Sequence, residues 1–451
     1  MLFDDKDVTV LDLTHGGIPL VRHIAKYARS VTAVDVYGTI ADDVLAGLER
    51  SGITIASEAD NITEIITKHN TDLIVAPVHL DPSHIPGAGE HTVITHHQAV
   101  GELLSDLNGK ARIVEITGTG AKTSTATLLA DMASRSLSVV SHTSRGVEHW
   151  VKGVPTKLHQ GLSIAPGSIL EALEYSTGIE ADLYIFEVSL GGTGAADVGI
   201  ITSMDNEYTI AKGSGTSTAA KLQMVDYARP GSTLLVNAST GLFSPPKGVD
   251  IVSFSDTSKA DVFLERSSTG IWSVHFENSG QTIRFTPNSG YDTKSYSTAI
   301  VCAVAAASIL AVEPAKIESA LLDFQGVHGR MRVVEWAGRA MVDNSNSGMN
   351  IRSVRQALDY SNNLASSYSR RVLILGEEAQ QVCEGLDPTD AGTFVYERGD
   401  ELDNIILVGE RMHSIHGENI HTADSLNSAI EMAESLTNED DIIISCVKCF
   451  R

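Results

Sequence analysis

The segment Gly118-Thr119-Gly120-Ala121-Lys122-Thr123-Ser124 holds the residue types that bind a phosphate. A strand ending at Thr117 leads into it, and a helix is predicted to follow over Thr125–Ser134. Such a turn aims backbone N–H groups and the positive end of a helix dipole at one point. There Lys122 would reach the β- and γ-phosphates of a nucleotide, and the Thr123 hydroxyl would coordinate Mg²⁺. The general phosphate-loop pattern has glycine where this chain has Ile116 and Ala121. A glycine-rich strand-to-helix turn with an incidental lysine accounts for the same residues.

The flanking elements decide what such a loop can be. Short apolar runs alternate with helical patterns along the whole chain, which predicts parallel α/β architecture. In the first hundred residues the strands are expected at Val8–Leu13, Val31–Val36 and Leu73–Val78, with a helix opening near Pro19. His15-Gly16-Gly17 makes the turn into that helix, and Asp35 closes the second strand. This is half of a dinucleotide fingerprint without its third glycine, and a tight turn explains it equally well. The segment from Asp81 to Gly89 reads as a loop. A second unit runs through strands Ala111–Thr117, Val139–His142, Leu183–Glu187, Gly199–Thr202 and Thr233–Asn237, then a β-rich stretch, Ile251–Phe285. A third opens with strands Arg332–Trp336 and Ala340–Asp343 and a helix at Ile351–Tyr360. Strands Val372–Leu375, Asn404–Val408 and Asp441–Ser445 follow. We expect three α/β domains, at about residues 1–110, 111–327 and 328–451.

The 451 residues carry 33 Lys and Arg against 57 Asp and Glu, a net charge of −24. A field of that sign repels phosphate backbones, which argues against general binding to nucleic acid or anionic membranes. An anionic substrate must then be held by a local cluster of donors. Met1–Asp7 is acidic and lacks the apolar core of a secretory signal, so a cytoplasmic protein is expected. The Ala-rich stretch Thr298–Val312 is too short to span a bilayer and reads as a buried helix. Four cysteines do not suggest a disulfide framework. Cys446-x-x-Cys449 has metal or redox spacing, but without a second pair an incidental spacing explains it better.

Read as Thr-Gly-Thr-x-x-Lys-Thr-Ser, the loop resembles that of the Mur ligase family, which makes amide bonds through acyl phosphates and lacks the first glycine of the general pattern. Further matches follow in the family's order. Phe186-Glu187-Val188-Ser189 resembles the strand end whose Glu holds Mg²⁺. Ala220-Lys221-Leu222 resembles the segment whose lysine is carbamylated in many members and serves a second Mg²⁺. Val236-Asn237 resembles the strand end near the adenine. Gly329-Arg330-Met331 is similar to the segment whose Arg reaches the γ-phosphate, and Val342-Asp343-Asn344-Ser345 to the Asp turn at the nucleotide. The resemblance spans about residue 95 to the C-terminus. It implies a Rossmann-like first domain, a central phosphate-loop ATPase domain and a Rossmann-like last domain, closing over ATP and Mg²⁺. Catalysis would rest on Lys122, Glu187, Lys221 and Arg330. Gly118, Thr119, Gly120, Ala121, Thr123, Ser124, Asn237 and Asp343 would surround the nucleotide, with Thr123, Glu187 and Lys221 serving the metal. Two departures stand out. Glu207 and Tyr208 occupy the place of the family's Asp-His pair, which removes a metal-binding His beside Lys221. Ser345 or Asn346 replaces the lysine common in the Asp turn.

The first domain does not resemble a nucleotide-sugar binder. Leu11–Pro19 and Ser141–Gly146 resemble the Mur-like enzymes of methanogenic archaea that act on a nickel tetrapyrrole. That resemblance implies phosphorylation of a propionate side chain and attack on the acyl phosphate by a macrocycle carbon, closing a carbocyclic ketone. An acyl phosphate is electrophilic toward whatever nucleophile is held beside it, so the fold can serve either bond. Carbon attack calls for a base, and His15, His142 and Glu207 are candidates. Arg145 suits a substrate carboxylate, and Tyr208 is a further candidate contact. Each His is equally a satisfied polar residue at a strand end. Two rivals remain: an amide ligase joining an amino acid to a cell-wall or cofactor precursor, and a nucleotide-binding protein without catalysis.

Overall fold

The computed structural model describes residues 1–57, 62–85, 91–105, 111–205, 207–241, 243–364, 368–378 and 385–449. The chain forms two compact units. One holds Met1–Arg266, Ser273–Arg284 and Thr298–Ala320, and the other holds Ser267–Trp272, Phe285–Ser297 and Leu321–Arg451.

The first unit contains two sheets. Strands β1 (Asp7–Leu11), β2 (Ser30–Asp35), β3 (Thr54–Ser57), β4 (Leu73–Ala76) and β5 (Thr92–Thr95) form an all-parallel sheet in the order β3-β2-β1-β4-β5. The apolar runs of the three central strands, β2, β1 and β4, are buried on both faces, as parallel strands between helices require, while the edge strands β3 and β5 are largely exposed. The one polar break in β1, Thr9, is buried and satisfied by Thr71, with 2.7 Å between their hydroxyls. Helices α1 (Gly17–Ile24), α2 (Asp42–Arg50) and α3 (Ile62–Lys68) make the first three crossovers, and α4 (His96–Leu104) follows β5. Helix α4 opens with a reciprocal capping box between Thr95 and Gln98. Of the loop expected between Asp81 and Gly89, Pro82–His84 form a single 3₁₀ turn, and residues 86–89 lie outside the described residues.

The second sheet is built on β6 (Arg112–Thr117), followed by α5 (Lys122–Ser134), β7 (Val139–Thr143), β8 (Gly146–Val151), β9 (Val154–His159) and α6 (Ser168–Tyr175). Then come β10 (Leu183–Glu187), β11 (Val198–Ile201) and a small hairpin of β12 (Thr209–Ile210) and β13 (Gly215–Thr216). Helices α7 (Ser217–Lys221) and α8 (Gln223–Asp226) precede β14 (Thr233–Asn237), β15 (Asp250–Ser255), β16 (Val262–Arg266), β17 (Trp272–Phe276) and β18 (Thr282–Phe285). The order is β18-β17-β16-β15-β14-β11-β6-β10-β7-β8-β9. Strands β7, β10, β6, β11, β14, β15 and β16 run parallel, and β8 and β9 add an antiparallel ribbon at the edge. That ribbon was not expected, because β9 is largely exposed and has no apolar alternation to show it. Helix α5 starts at Lys122, three residues before the predicted start. The Ala-rich segment is helix α9 (Ser297–Ile309), buried from Ala299 through Ala307, and α10 (Pro314–Asp323) follows. Among the described residues no helix is long and apolar enough to cross a membrane.

One core joins the two sheets of this unit: Phe3, Val10 and Leu20 belong to the same buried cluster as Ile113, Ile169 and Phe186. The backbones touch where α6 begins. A Cβ on Gly167 would lie 1.8 Å from the carbonyl oxygen of Gly16, so neither chain can be moved back by a side chain.

In the second unit, β19 (Arg332–Trp336) pairs antiparallel with β20 (Arg339–Asp343), and α11 (Ile351–Leu364) follows. Then come β21 (Arg371–Glu377), α12 (Pro388–Arg398), β22 (Asn404–Val408), β23 (Ile420–Ala423), α13 (Leu426–Leu436) and β24 (Ile442–Lys448). The order is β19-β20-β24-β21-β22-β23, parallel from β20 onward. Cys446 and Cys449 are buried, and neither is in a disulfide. The α/β architecture expected from the alternating pattern is thus what the chain adopts.

Three histidines of the first unit, His96, His97 and His142, are buried, and each donates from Nε2 to a carbonyl oxygen, of Leu11, Ser189 and Ser163 respectively. Their Nδ1 atoms have no partner among the described residues, so a second proton would have no acceptor. Burial lowers the three pKa values to about 3, 4 and 4 from the ordinary 6.5. The unfolded chain therefore takes up protons below pH 6.5 that the folded chain refuses, and stability falls as the pH drops toward 4. Thermal denaturation followed between pH 7 and pH 5 should show a falling midpoint. Replacing His97 by Gln, which keeps the donor to Ser189, should flatten that fall.

Candidate nucleotide site and the comparisons with known proteins

Strands β10, β6 and β11 are neighbours, with Glu187 beside Ile116 and Ile201 beside Thr117, so their C-terminal ends lie level. The loop after β6 starts at Gly118, whose φ is +140°. A Cβ there would sit 2.2 Å from the Thr202 hydroxyl, so only glycine fits. Ala121 stands where the general pattern has glycine and adopts the left-handed conformation all the same, with φ +61°. Such a φ costs a non-glycine residue about 1–2 kcal/mol. The Thr202 hydroxyl holds the turn, with its single proton directed to the Gly120 carbonyl oxygen at 2.6 Å and the Thr117 carbonyl oxygen also within reach at 3.1 Å. Ser203 completes the clamp. Its carbonyl accepts from Thr119 N, and its hydroxyl accepts from Gly120 N at 3.1 Å.

Glu187 emerges from β10 under the start of α5 and is 3% exposed. One oxygen accepts from the Thr123 hydroxyl at 2.7 Å and from Ser144 N at 3.2 Å. The other lies 3.8 Å from Lys122 Nζ, which also donates to the Gly118 carbonyl at 3.0 Å. A buried carboxylate and a threonine hydroxyl at a helix N-terminus are the hard oxygen donors that Mg²⁺ prefers. Asn237, at the end of β14, donates to the Thr202 carbonyl at 2.9 Å and accepts from Ser239 N and Oγ. One cluster thus gathers Gly118–Ser124, Glu187 and Asn237. Ser144, Thr202 and Ser203 complete it and were not singled out in the sequence, because single serines and threonines in loops carry no spacing signal.

Lys221 closes the short α7 and is buried. Its ammonium donates to the Ser217 carbonyl at 3.3 Å and lies 5.3 Å from the centre of the Tyr208 ring. Arg145 pairs with the buried Glu148 at 3.4 Å, while His142 points inward to Ser163. His15 turns back to Asp12 on the first sheet.

In the second unit, the Asp343 carboxylate is buried at the end of β20 and accepts from Gly329 N at 3.0 Å and Ser345 N at 3.4 Å. Asn346 donates to the Gly329 carbonyl at 2.8 Å and accepts from Arg330 Nη1 at 3.3 Å. The Gly-Arg segment and the Asp turn, distinct in sequence, are one hydrogen-bonded assembly that aims Arg330.

A family model described as the C-terminal domain of the coenzyme F430 synthetase CfbE matches residues 333–449. A coenzyme F(430) synthetase of Methanosarcina acetivorans is 43% identical over 99% of each chain. A UDP-N-acetylmuramoylalanine–D-glutamate ligase of Pelotomaculum thermopropionicum is 22% identical, covering 99% of this chain and 93% of its own. Among solved structures, the MurF ligase of Thermotoga maritima in complex with ADP shares the fold. Its TM-score is 0.55 at 14% identity, over 95% of this chain and 93% of that one. With 43% identity sustained over nearly all of both proteins, the chain belongs to the coenzyme F(430) synthetase family.

Proposed function

We propose that the chain is an ATP-dependent ligase that activates a propionate carboxylate of a nickel tetrapyrrole and closes the last carbocyclic ring of coenzyme F(430). The observation that carries the substrate is the 43% identity to a coenzyme F(430) synthetase over 99% of each chain, and the activation step is supported by the buried Thr123–Glu187 contact of 2.7 Å at the mouth of the loop, with Lys122 beside it. In a chain of net charge −24, that arrangement supports a site made to gather phosphate and metal. Thr123 and Glu187 would hold Mg²⁺, which supplies charge neutralisation at the phosphates. Lys122 and Arg330 would bind the γ-phosphate oxygens. The carboxylate oxygen attacks the γ-phosphorus and ADP leaves. A macrocycle carbon then loses its proton and attacks the acyl carbon, forming the ketone and releasing phosphate. Of the candidate bases, His142 is fully buried with Nε2 turned to the Ser163 carbonyl, which speaks against it as the proton acceptor for that step.

Lys221 has two chemistries open to it, a carbamate or an ammonium. The Tyr208 ring 5.3 Å from Nζ favours the cation, and such contacts contribute about 0.5–2 kcal/mol. The His that would accompany a second metal is replaced by that same Tyr208. We infer that Lys221 works as a cation.

Purified protein with ATP, Mg²⁺ and the nickel seco-precursor should release one phosphate for each macrocycle that loses one water, read by mass and absorbance. Turnover that needs an added amino acid and leaves the macrocycle unchanged would instead establish amide ligation. Lys122→Ala should lower kcat on the order of 10²–10³-fold or more without shifting the thermal midpoint. An unchanged kcat would remove the loop from catalysis. Turnover in carbonate-free, CO₂-purged buffer should equal that in air, and loss restored by bicarbonate would show that Lys221 is carbamylated.

A further inference from the structure

A second cluster of chemically able side chains lies on the first sheet. Asp12 follows β1, His15 comes three residues later, and His79 follows β4. Strands β1 and β4 are neighbours, while the chain leaves β1 toward β2 on the other side. This is the sheet's topological switch point, where the loops part and open a crevice at the carboxyl ends of the strands.

Three donor atoms converge there. His15 Nδ1 is 3.0 Å from Asp12 Oδ2, His79 Nε2 is 3.4 Å from the same oxygen, and the two nitrogens are 3.1 Å apart. Ligands about 2.0–2.2 Å from one ion, at angles between about 90° and 110°, lie about 2.8–3.6 Å from one another. The other Asp12 oxygen is engaged by Thr14, which donates to it from its backbone N–H at 2.8 Å and from its hydroxyl at 2.5 Å. That support orients the carboxylate and leaves Oδ2 toward the two rings. The backbone is committed as well. Asp12 is buried and adopts φ +69°, a left-handed conformation uncommon for a residue other than glycine. The imidazoles meet edge to face, 77° apart, so their nitrogens are brought together without ring stacking. Among the described residues this is the one group of three His, Cys, Asp or Glu donors gathered in this way.

We propose that Asp12, His15 and His79 form a three-ligand site for a divalent transition ion of the zinc, cobalt or nickel class. Two imidazoles select against Mg²⁺ and Ca²⁺, which take oxygen ligands. Nickel held in a tetrapyrrole is a poor occupant, because its four ring nitrogens leave one open position on each face and cannot accept three ligands from one side. The ion is therefore a free one, bound by the chain itself. The side chains of His15 and His79 are 40% and 25% exposed, so the remaining coordination positions open to solvent. That is the pattern of a site that takes a water or a substrate oxygen rather than of a closed structural site. The proposal does not depend on the reaction assigned to the nucleotide site.

The test uses the full chain without a histidine tag, stripped with a chelator and titrated with Co²⁺ in excess Mg²⁺. Calorimetry and visible absorbance should show one tight equivalent with d–d bands, displaced by Zn²⁺. His15→Ala and His79→Ala should each weaken binding on the order of 100-fold or more while keeping the circular dichroism spectrum. Lys122→Ala should bind Co²⁺ like the parent, which separates this site from the nucleotide site. Co²⁺ binding that survives both histidine replacements would overturn the proposal. So would a parent protein that binds no more Co²⁺ than the His15→Ala/His79→Ala double variant.

Discussion

The lateral hydrogen bonds that join β10, β6 and β11 are the constraint on which the nucleotide site depends. They run between parallel strands in a register that ends all three at one level. A parallel sheet spends its backbone donors and acceptors sideways along the strands. The chain therefore becomes free to present chemistry only where a strand stops. The phosphate loop leaves β6, Glu187 leaves β10, the Thr202-Ser203 clamp leaves β11, and Asn237 leaves β14. A slip of one residue in β10 would turn Glu187 to the opposite face and leave Thr123 without its acceptor. The second unit repeats the arrangement, with Asp343 at the end of β20 holding Gly329 and, through Asn346, Arg330.

That constraint also explains which parts were readable in the sequence. Strands Leu183–Glu187, Thr233–Asn237 and Asn404–Val408 match the expected bounds, because buried parallel strands are continuous apolar runs between turns. Glu187, Asn237 and Asp343 were legible through the resemblance to the Mur ligase motifs; as polar residues closing a strand they would by themselves read as solvated strand ends. Helix α5 begins earlier than its apolar pattern suggested because its first turn, Lys122-Thr123-Ser124, is polar for the sake of the site. What could not be read is what only the fold brings together. Ser144 comes from the β7–β8 turn, 21 residues from Thr123, and His79 lies 64 residues from His15. Neither interval has any local periodicity. Tyr208 was legible as a substitution, but its place beside the Lys221 ammonium was not.

The charge of the chain gives the site its character. A protein with net charge −24 attracts no nucleotide by its overall field, and ATP must be won by a few groups at short range. Lys122 is well placed for this because it is partly buried and already oriented by the Gly118 carbonyl and Glu187. Part of the entropy of fixing a long side chain is then met before any ligand arrives.

The contact of Gly16 with Gly167 bears on how such enzymes change substrates over time. Ligases of this architecture look like assemblies of interchangeable parts, with a first sheet that could be traded to acquire a new acid. Here the turn before α1 and the turn before α6 are fitted so closely that a side chain at Gly167 would force the two sheets apart. A grafted first sheet would have to bring its own matching turn in the central segment.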